Sequence, residues 1–176
     1  MGWIQRELVP SRVTVWVDGE DAEADVFVNS FNDCWKRIPQ HDQAQILDYW
    51  QNQCGERGPK IELSDQWYDS KTCFGQVRQQ GAEIRFAKSL TLLPRDARSF
   101  LIAHELAHVY QKCIGRRPGG DNATENEENA DRIAEEWGFS RSPLTLVKYR
   151  TKDLGFEAAC RLVNELNVDW HGHNTK

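Results

Sequence analysis

The sequence predicts an α+β fold, a small three-stranded sheet beside two long helices, with further helices before and after it. Three observations predict it. Apolar residues recur every three or four positions through 21–38, 42–54, 100–112 and 123–139, the period of helices with one buried face. Short stretches between residues 60 and 90 are instead rich in strand formers and bounded by turn residues. Finally, 176 residues, 39% hydrophobic and 28% charged and without internal repeats, suffice for one core and are few for two.

In chain order, Val13–Val17 (VTVWV) reads as a strand that ends at the turn Asp18-Gly19. From Asp21 a helix places Ala24, Phe27, Val28, Phe31, Trp35 and Ile38 on one side, and Pro39 stops it. Asp42–Cys54 is a second helix with Ile46, Leu47, Trp50 and Cys54 inward, stopped by Gly55. The three sheet strands are Lys60–Leu63, Cys73–Arg78 and Ala82–Leu90, the last two joined as a hairpin at Gln80-Gly81. In the last of them Ile84, Phe86 and Ala87 alternate with Glu83, Arg85 and Lys88, the pattern of a half-solvated strand.

Pro94 then starts a helix, with Asp96 in its first turn near the positive end of the dipole. Within FLIAHELAHVYQK, Phe100–Lys112, the residues around His104, Glu105 and His108 are uncharged. A buried helix therefore carries three polar side chains, which are costly to bury without partners. His104 and His108 lie one turn apart on one face. That spacing lets two imidazoles grip one zinc ion at about 2.0–2.1 Å each. Glu105 sits roughly 100° round the helix, placed to reach a water rather than the metal.

Such a site needs a third protein ligand. Ala123–Phe139 offers Glu125, Glu127 and Glu128. Taking 100° per residue, Glu127 lies about 70° from the centre of the Ala130, Ile133, Ala134 and Trp137 stripe, Glu125 about 130° and Glu128 about 170°. Only Glu127 borders the inward face. Asp131, one turn on, fits a carboxylate that orients a ligand histidine. A capping box of Thr124 with Glu127 is the competing explanation, and it leaves the histidine pair short of a ligand. Gly115–Asn122 (GRRPGGDN) is the loop between the two helices, where Arg116 and Arg117 read as a solvated pair. Beyond Gly138, Pro143–Arg150 is a short apolar-basic stretch. A last helix spans Asp153–Leu166, with Leu154, Ala158, Leu162 and Val163 on one side, ahead of a tail holding His171 and His173.

His104-Glu105-Leu106-Ala107-His108, followed by Asn126-Glu127-Glu128-Asn129-Ala130-Asp131, resembles the gluzincin group of zinc metallopeptidases, H-E-x-x-H with a downstream N-E-x-x-x-D. The resemblance spans roughly Ile61 to Phe139. It implies a zincin-like fold and a zinc-dependent peptidase acting on a peptide or protein substrate. Zinc would be held by His104, His108 and Glu127, with Glu105 as general base and Asp131 steadying a zinc-bound histidine. The strand before the active-site helix, here Ala82–Leu90, would be the sheet edge that pairs with substrate; its charges equally suit an edge that discourages pairing. The oxyanion donor would come from His171, Tyr149 or Tyr68. On this reading 1–176 is a single metallopeptidase-like domain: helical support in 1–58, the catalytic core in 59–139, a C-terminal helix and tail in 140–176. Glu127-Glu128-Asn129-Ala130 also resembles the E-x-x-A context of ImmA/IrrE-like regulator-cleaving peptidases. SprT-like crosslink proteases usually add a basic or zinc-ribbon part, which this chain lacks. A non-catalytic, metal-stabilised binding or regulatory protein is the alternative from another class, and the intact Glu105 weighs against it.

The net charge of −5 argues against a nucleic-acid partner. No apolar run approaches a membrane span, and Met1–Pro10 lacks the order of a signal peptide. Five widely spaced cysteines, with no C-x-x-C, predict free thiols and a cytoplasmic protein. The seven scattered tryptophans read as core anchors.

Overall fold

A computed structural model describes residues 3–9, 13–64, 74–115 and 123–172, with side chains in the last segment from 124 to 166. The fold is α+β, but its sheet has five strands rather than three. β1 (Trp3–Leu8) and β2 (Val13–Asp18) form an antiparallel pair. Helices α1 (Asp21–Arg37) and α2 (Gln40–Cys54) then cross over to β3 (Lys60–Leu63), parallel to β2. β4 (Gly75–Arg78) and β5 (Glu83–Phe86) make the expected hairpin around a short 3₁₀ turn at Gln79–Gly81. The spatial order is β1-β2-β3-β5-β4.

That order corrects the expectation for the strand before the active-site helix. β5 is interior, flanked by β3 and β4, and the edge strands of the described sheet are β1 and β4. Nor is β5 half-solvated, since Glu83, Ile84, Arg85 and Phe86 are all buried. The alternation survives as two faces. Val15, Ile61 and Ile84 stand level across the sheet, as do Val17, Leu63 and Phe86, and all six are core. Glu83 and Arg85 alternate with these and face the other way, where charge pairs with charge. Arg85 Nη2 lies 2.9 Å from Glu83 Oε1, and Lys60 Nζ lies 2.9 Å from Glu62 Oε2. Glu62 and Glu83 are 1% and 3% exposed, so these pairs sit in a desolvated setting.

Helix α3 (Arg95–Cys113) is the hub. It packs against α1, α2, α4 (Ala123–Glu136), α5 (Ser142–Leu154) and the edge strand β4. Its run from Phe100 to Ala107 is buried without a break, as the uncharged sequence implied. α1 buries Ala24, Phe27, Phe31 and Trp35 of the predicted stripe, with Ile38 just past its end and Val28 only partly covered, adds Cys34, and stacks in part on α2 through Trp35 and Trp50 at 5.9 Å. The far end of α4 is tied to the first two helices. Trp137 Nε1 donates to Asp42 Oδ2 at 2.8 Å, and Arg37 donates to the Gly138 carbonyl while its guanidinium lies over the Phe139 ring.

The C-terminal elements differ from expectation in their bounds. α5 runs through to Leu154, and Gly155, at φ +79°, separates it from α6 (Phe156–Gly172). Leu154, expected inside, is therefore an exposed residue at a helix end. His171 belongs to the backbone of α6 rather than to a loose tail. The 1–58 segment is also more than helical support, because it supplies two of the five strands. Cys34, Cys54, Cys113 and Cys160 are free thiols, and Cys73 lies outside the described residues. Among the described residues no helix is long and apolar enough to cross a membrane.

Candidate metal centre

α3 and α4 bring the three expected ligands to one point. His104 Nε2 lies 3.1 Å from His108 Nε2 and 3.2 Å from Glu127 Oε2, and His108 Nε2 lies 3.4 Å from Glu127 Oε1. Atoms bound at about 2.0–2.1 Å to one tetrahedral ion stand about 3.3 Å apart. Each imidazole nitrogen here faces a different oxygen of Glu127, the spacings are of that order, and the three residue types are ones that could hold a metal ion. Among the described residues no fourth His, Cys, Asp or Glu joins it. Both oxygens of Glu127 face imidazoles, and Thr124 lies inside α4, so the carboxylate serves the histidines rather than a helix cap. Glu125 and Glu128 are exposed and stay outside the group.

Asp131 takes the place foreseen for it. Its Oδ1 is 2.8 Å from His104 Nδ1, and its Oδ2 is 2.6 Å from Arg141 Nη1. With Nδ1–H donating to Asp131, the Nε2 lone pair of His104 is turned toward the other two groups. Electrostatics reflect the convergence. Burial would lower the His104 pKa, but hydrogen bonds to Asp131 and Glu127 outweigh it and lift the value to about 9. The same imidazoles hold the Glu127 carboxyl well below the usual carboxylate range. Three lone-pair-bearing groups meet at a point that favours positive charge.

Beside that point lies a hollow of about 350 Å³, walled by Gly75, Gln76 and Val77 of β4 and by Glu105, His108, Gln111 and Lys112 of α3. Asn126 and Glu127 close it from α4. Glu105 is 4% exposed, and burial raises its carboxyl pKa against the opposing pull of His104 and His108. The carboxyl group is therefore held off the metal point and poised toward taking a proton.

The expected oxyanion donors fare differently. Tyr149 is 60% exposed and borders another surface hollow, with Glu135, Arg141 and Leu146. Tyr68, the His171 side chain, His173, Arg116 and Arg117 lie outside the described residues. Sequence reasoning missed Gly75, Gln76, Gln111, Lys112 and Asn126. Lys112 could have been found from its i+4 spacing to His108, and Asn126 from its place beside Glu127. Nothing local marks Gly75.

Compared with protein-family models, curated proteins and solved structures, the chain matches none of them.

Proposed function

We propose that this protein is a zinc-dependent peptidase. One observation carries the reading: two imidazole nitrogens lie 3.1 Å apart with a carboxylate oxygen within 3.2–3.4 Å of each, and a buried carboxyl group, Glu105, lines the adjoining hollow. His104, His108 and Glu127 would hold the ion, and Asp131 would fix the tautomer of His104. When bound, zinc supplies a Lewis acid that lowers the pKa of water to about 7 and polarises a carbonyl.

The chain's own residues do the rest. β4, an edge strand of the described sheet, lines the hollow, and an extended peptide would lie along it in the manner of gluzincin edge strands. Glu105 accepts the proton of the attacking water and returns it to the leaving amine nitrogen. Its burial excludes bulk water and raises the carboxyl pKa, which suits a base that must hold a proton.

Metal analysis of the purified protein together with a mixed peptide library tests this. One zinc per chain and library cleavage are expected, with cleavage falling by about 10²–10⁴-fold in Glu105→Gln while zinc is retained. Cleavage that survives Glu105→Gln, or a zinc-loaded parent that cleaves nothing, overturns the reading.

A further inference from the structure

We infer that the site prefers peptides carrying a carboxylate close to the bond cleaved, and that Lys112 reads it. The inference rests on the peptidase reading and goes on to name the class of substrate. Lys112 follows His108 by one turn of α3, so it continues the face that carries both histidines, about 6 Å further along the axis. It is half-buried and lines the hollow; a Cβ built on Gly81 would meet its Cδ at 3.5 Å, which places the stem against the β4–β5 turn. Among the described residues its ammonium has no carboxylate or hydrogen-bond partner.

The other charged groups on the wall are accounted for. Glu127 belongs to the histidine pair, and Glu105 is the buried carboxyl group that handles the proton. Among the described lining residues, what remains is the Lys112 ammonium, partly stripped of water, with the neutral amides of Gln76, Gln111 and Asn126 lining the same hollow. A half-desolvated cation without a partner is unfavourable, and a carboxylate restores what burial removed. An extended chain advances about 3.3 Å per residue, so an offset of about 6 Å puts that carboxylate roughly two residues from the scissile bond. It can be the side chain of Asp or Glu, or the C-terminal carboxylate of a short peptide. Gln and Asn amides beside it can hydrogen-bond either form.

Binding of peptides to the full-length, zinc-loaded Glu105→Gln protein, read by fluorescence anisotropy, tests this without turnover. Four peptides of equal length are compared: amidated and acid-free, amidated with one internal Glu, acid-free with a free C-terminus, and amidated with one internal Lys. Tighter binding by about tenfold is expected for one or both carboxylate peptides over the first. The arm that gains identifies the source of the carboxylate. Lys112→Gln should abolish the preference, and Lys112→Arg should keep it, with zinc content unchanged in both. Equal binding of all four, or a preference that survives Lys112→Gln, overturns the role of Lys112 and leaves the peptidase reading standing. If no peptide binds to the zinc-loaded protein, the peptidase reading and this inference fall together.

Discussion

A Cβ atom built on Gly75 would stand 2.5 Å from Oε1 of Glu105, inside any contact that real atoms tolerate. The edge strand and the Glu105 carboxyl group therefore fit together only because residue 75 has no side chain. The three atoms nearest that Cβ all belong to the Glu105 side chain, so an added methyl group moves Glu105 rather than the backbone. Gly75→Ala should keep the fold and the zinc, and lower peptidase turnover by about 10²-fold, the scale of a 1 Å misplacement in a reacting constellation. Kinetics on any library substrate, alongside zinc stoichiometry, check it. A variant with parental turnover would show that the Glu105 position is not critical.

Asp131 orients His104, so its loss should appear in metal affinity before it appears in stability. Asp131→Ala is expected to weaken zinc binding by about 10–100-fold, the usual effect of removing a carboxylate behind a ligand histidine. Glu127→Ala should weaken it further, whereas Glu128→Ala, on the exposed side of α4, should not change it. Competition with a chelating dye measures all three. The ligand assignment fails if Glu128→Ala releases zinc and Glu127→Ala does not.

The pH dependence of the metal-free protein follows from the same triangle. The folded pKa of His104, about 9, lies above its ordinary 6.5, so its contribution is complete below about 6.5 and is lost as pH rises through 9. The carboxyl of Glu127 is depressed instead, so its contribution is present above about 4.5 and is lost as pH falls. Melting temperatures of chelated protein should form a plateau near pH 5–6 and decline toward pH 9. Zinc-loaded protein should not decline over that upper range, because metal binding favours deprotonated histidine. Parallel curves for the two forms would contradict the assignment.

The charged back of the sheet gives a stability test far from the catalytic chemistry. Arg85→Met takes the guanidinium away from the buried carboxylates of Glu83 and Glu62, and breaking a buried pair from one side costs about 3–5 kcal/mol. For a chain of this size that is a fall of roughly 6–20 °C in melting temperature. Glu83→Gln combined with Arg85→Met should recover part of the loss. Calorimetry on the three proteins decides, and a change within 1–2 °C for Arg85→Met would mean the network is solvated.

The metal triangle could be foreseen because its information is local. One helical period fixes His104 against His108, another fixes Glu127 against the apolar stripe and Asp131, and the helices that carry them are strongly patterned. The sheet was harder for the opposite reason. Glu83 and Arg85 look solvated in a one-dimensional pattern, yet their partners are each other and two residues of β3, a strand more than twenty positions away. β1 gave little warning because Arg6 interrupts the alternation of Ile4 and Leu8, and its pairing with β2 supplies what its composition lacks. Gly75 and Glu105 are neighbours only once β4 has docked on α3, so no window of sequence contains both. Gly155 was within reach, as a glycine of the kind that ends helices, but the apolar positions on either side of it continue one helical pattern across the break.

The anchoring of α4 sets how metal would leave. Its C-terminal end is tied to Asp42 and Arg37, while its first turns are held by the Gln111 side chain on the Asn126 carbonyl and by Glu127 at the histidines. α3, packed against α1, α2, α4, α5, β4 and the Gln79–Gly81 turn, opens only when the whole core does. Escape of the ion therefore has a cheap route, fraying of the start of α4, that leaves the core untouched. The residence time of a bound ion would then be governed by this partial opening, and amide exchange at Glu127 and Glu128 should speed up on chelation while that of α3 stays slow. Chelators would strip the metal at a rate nearly independent of mild denaturant, and the emptied protein would keep the scaffold needed to take it back.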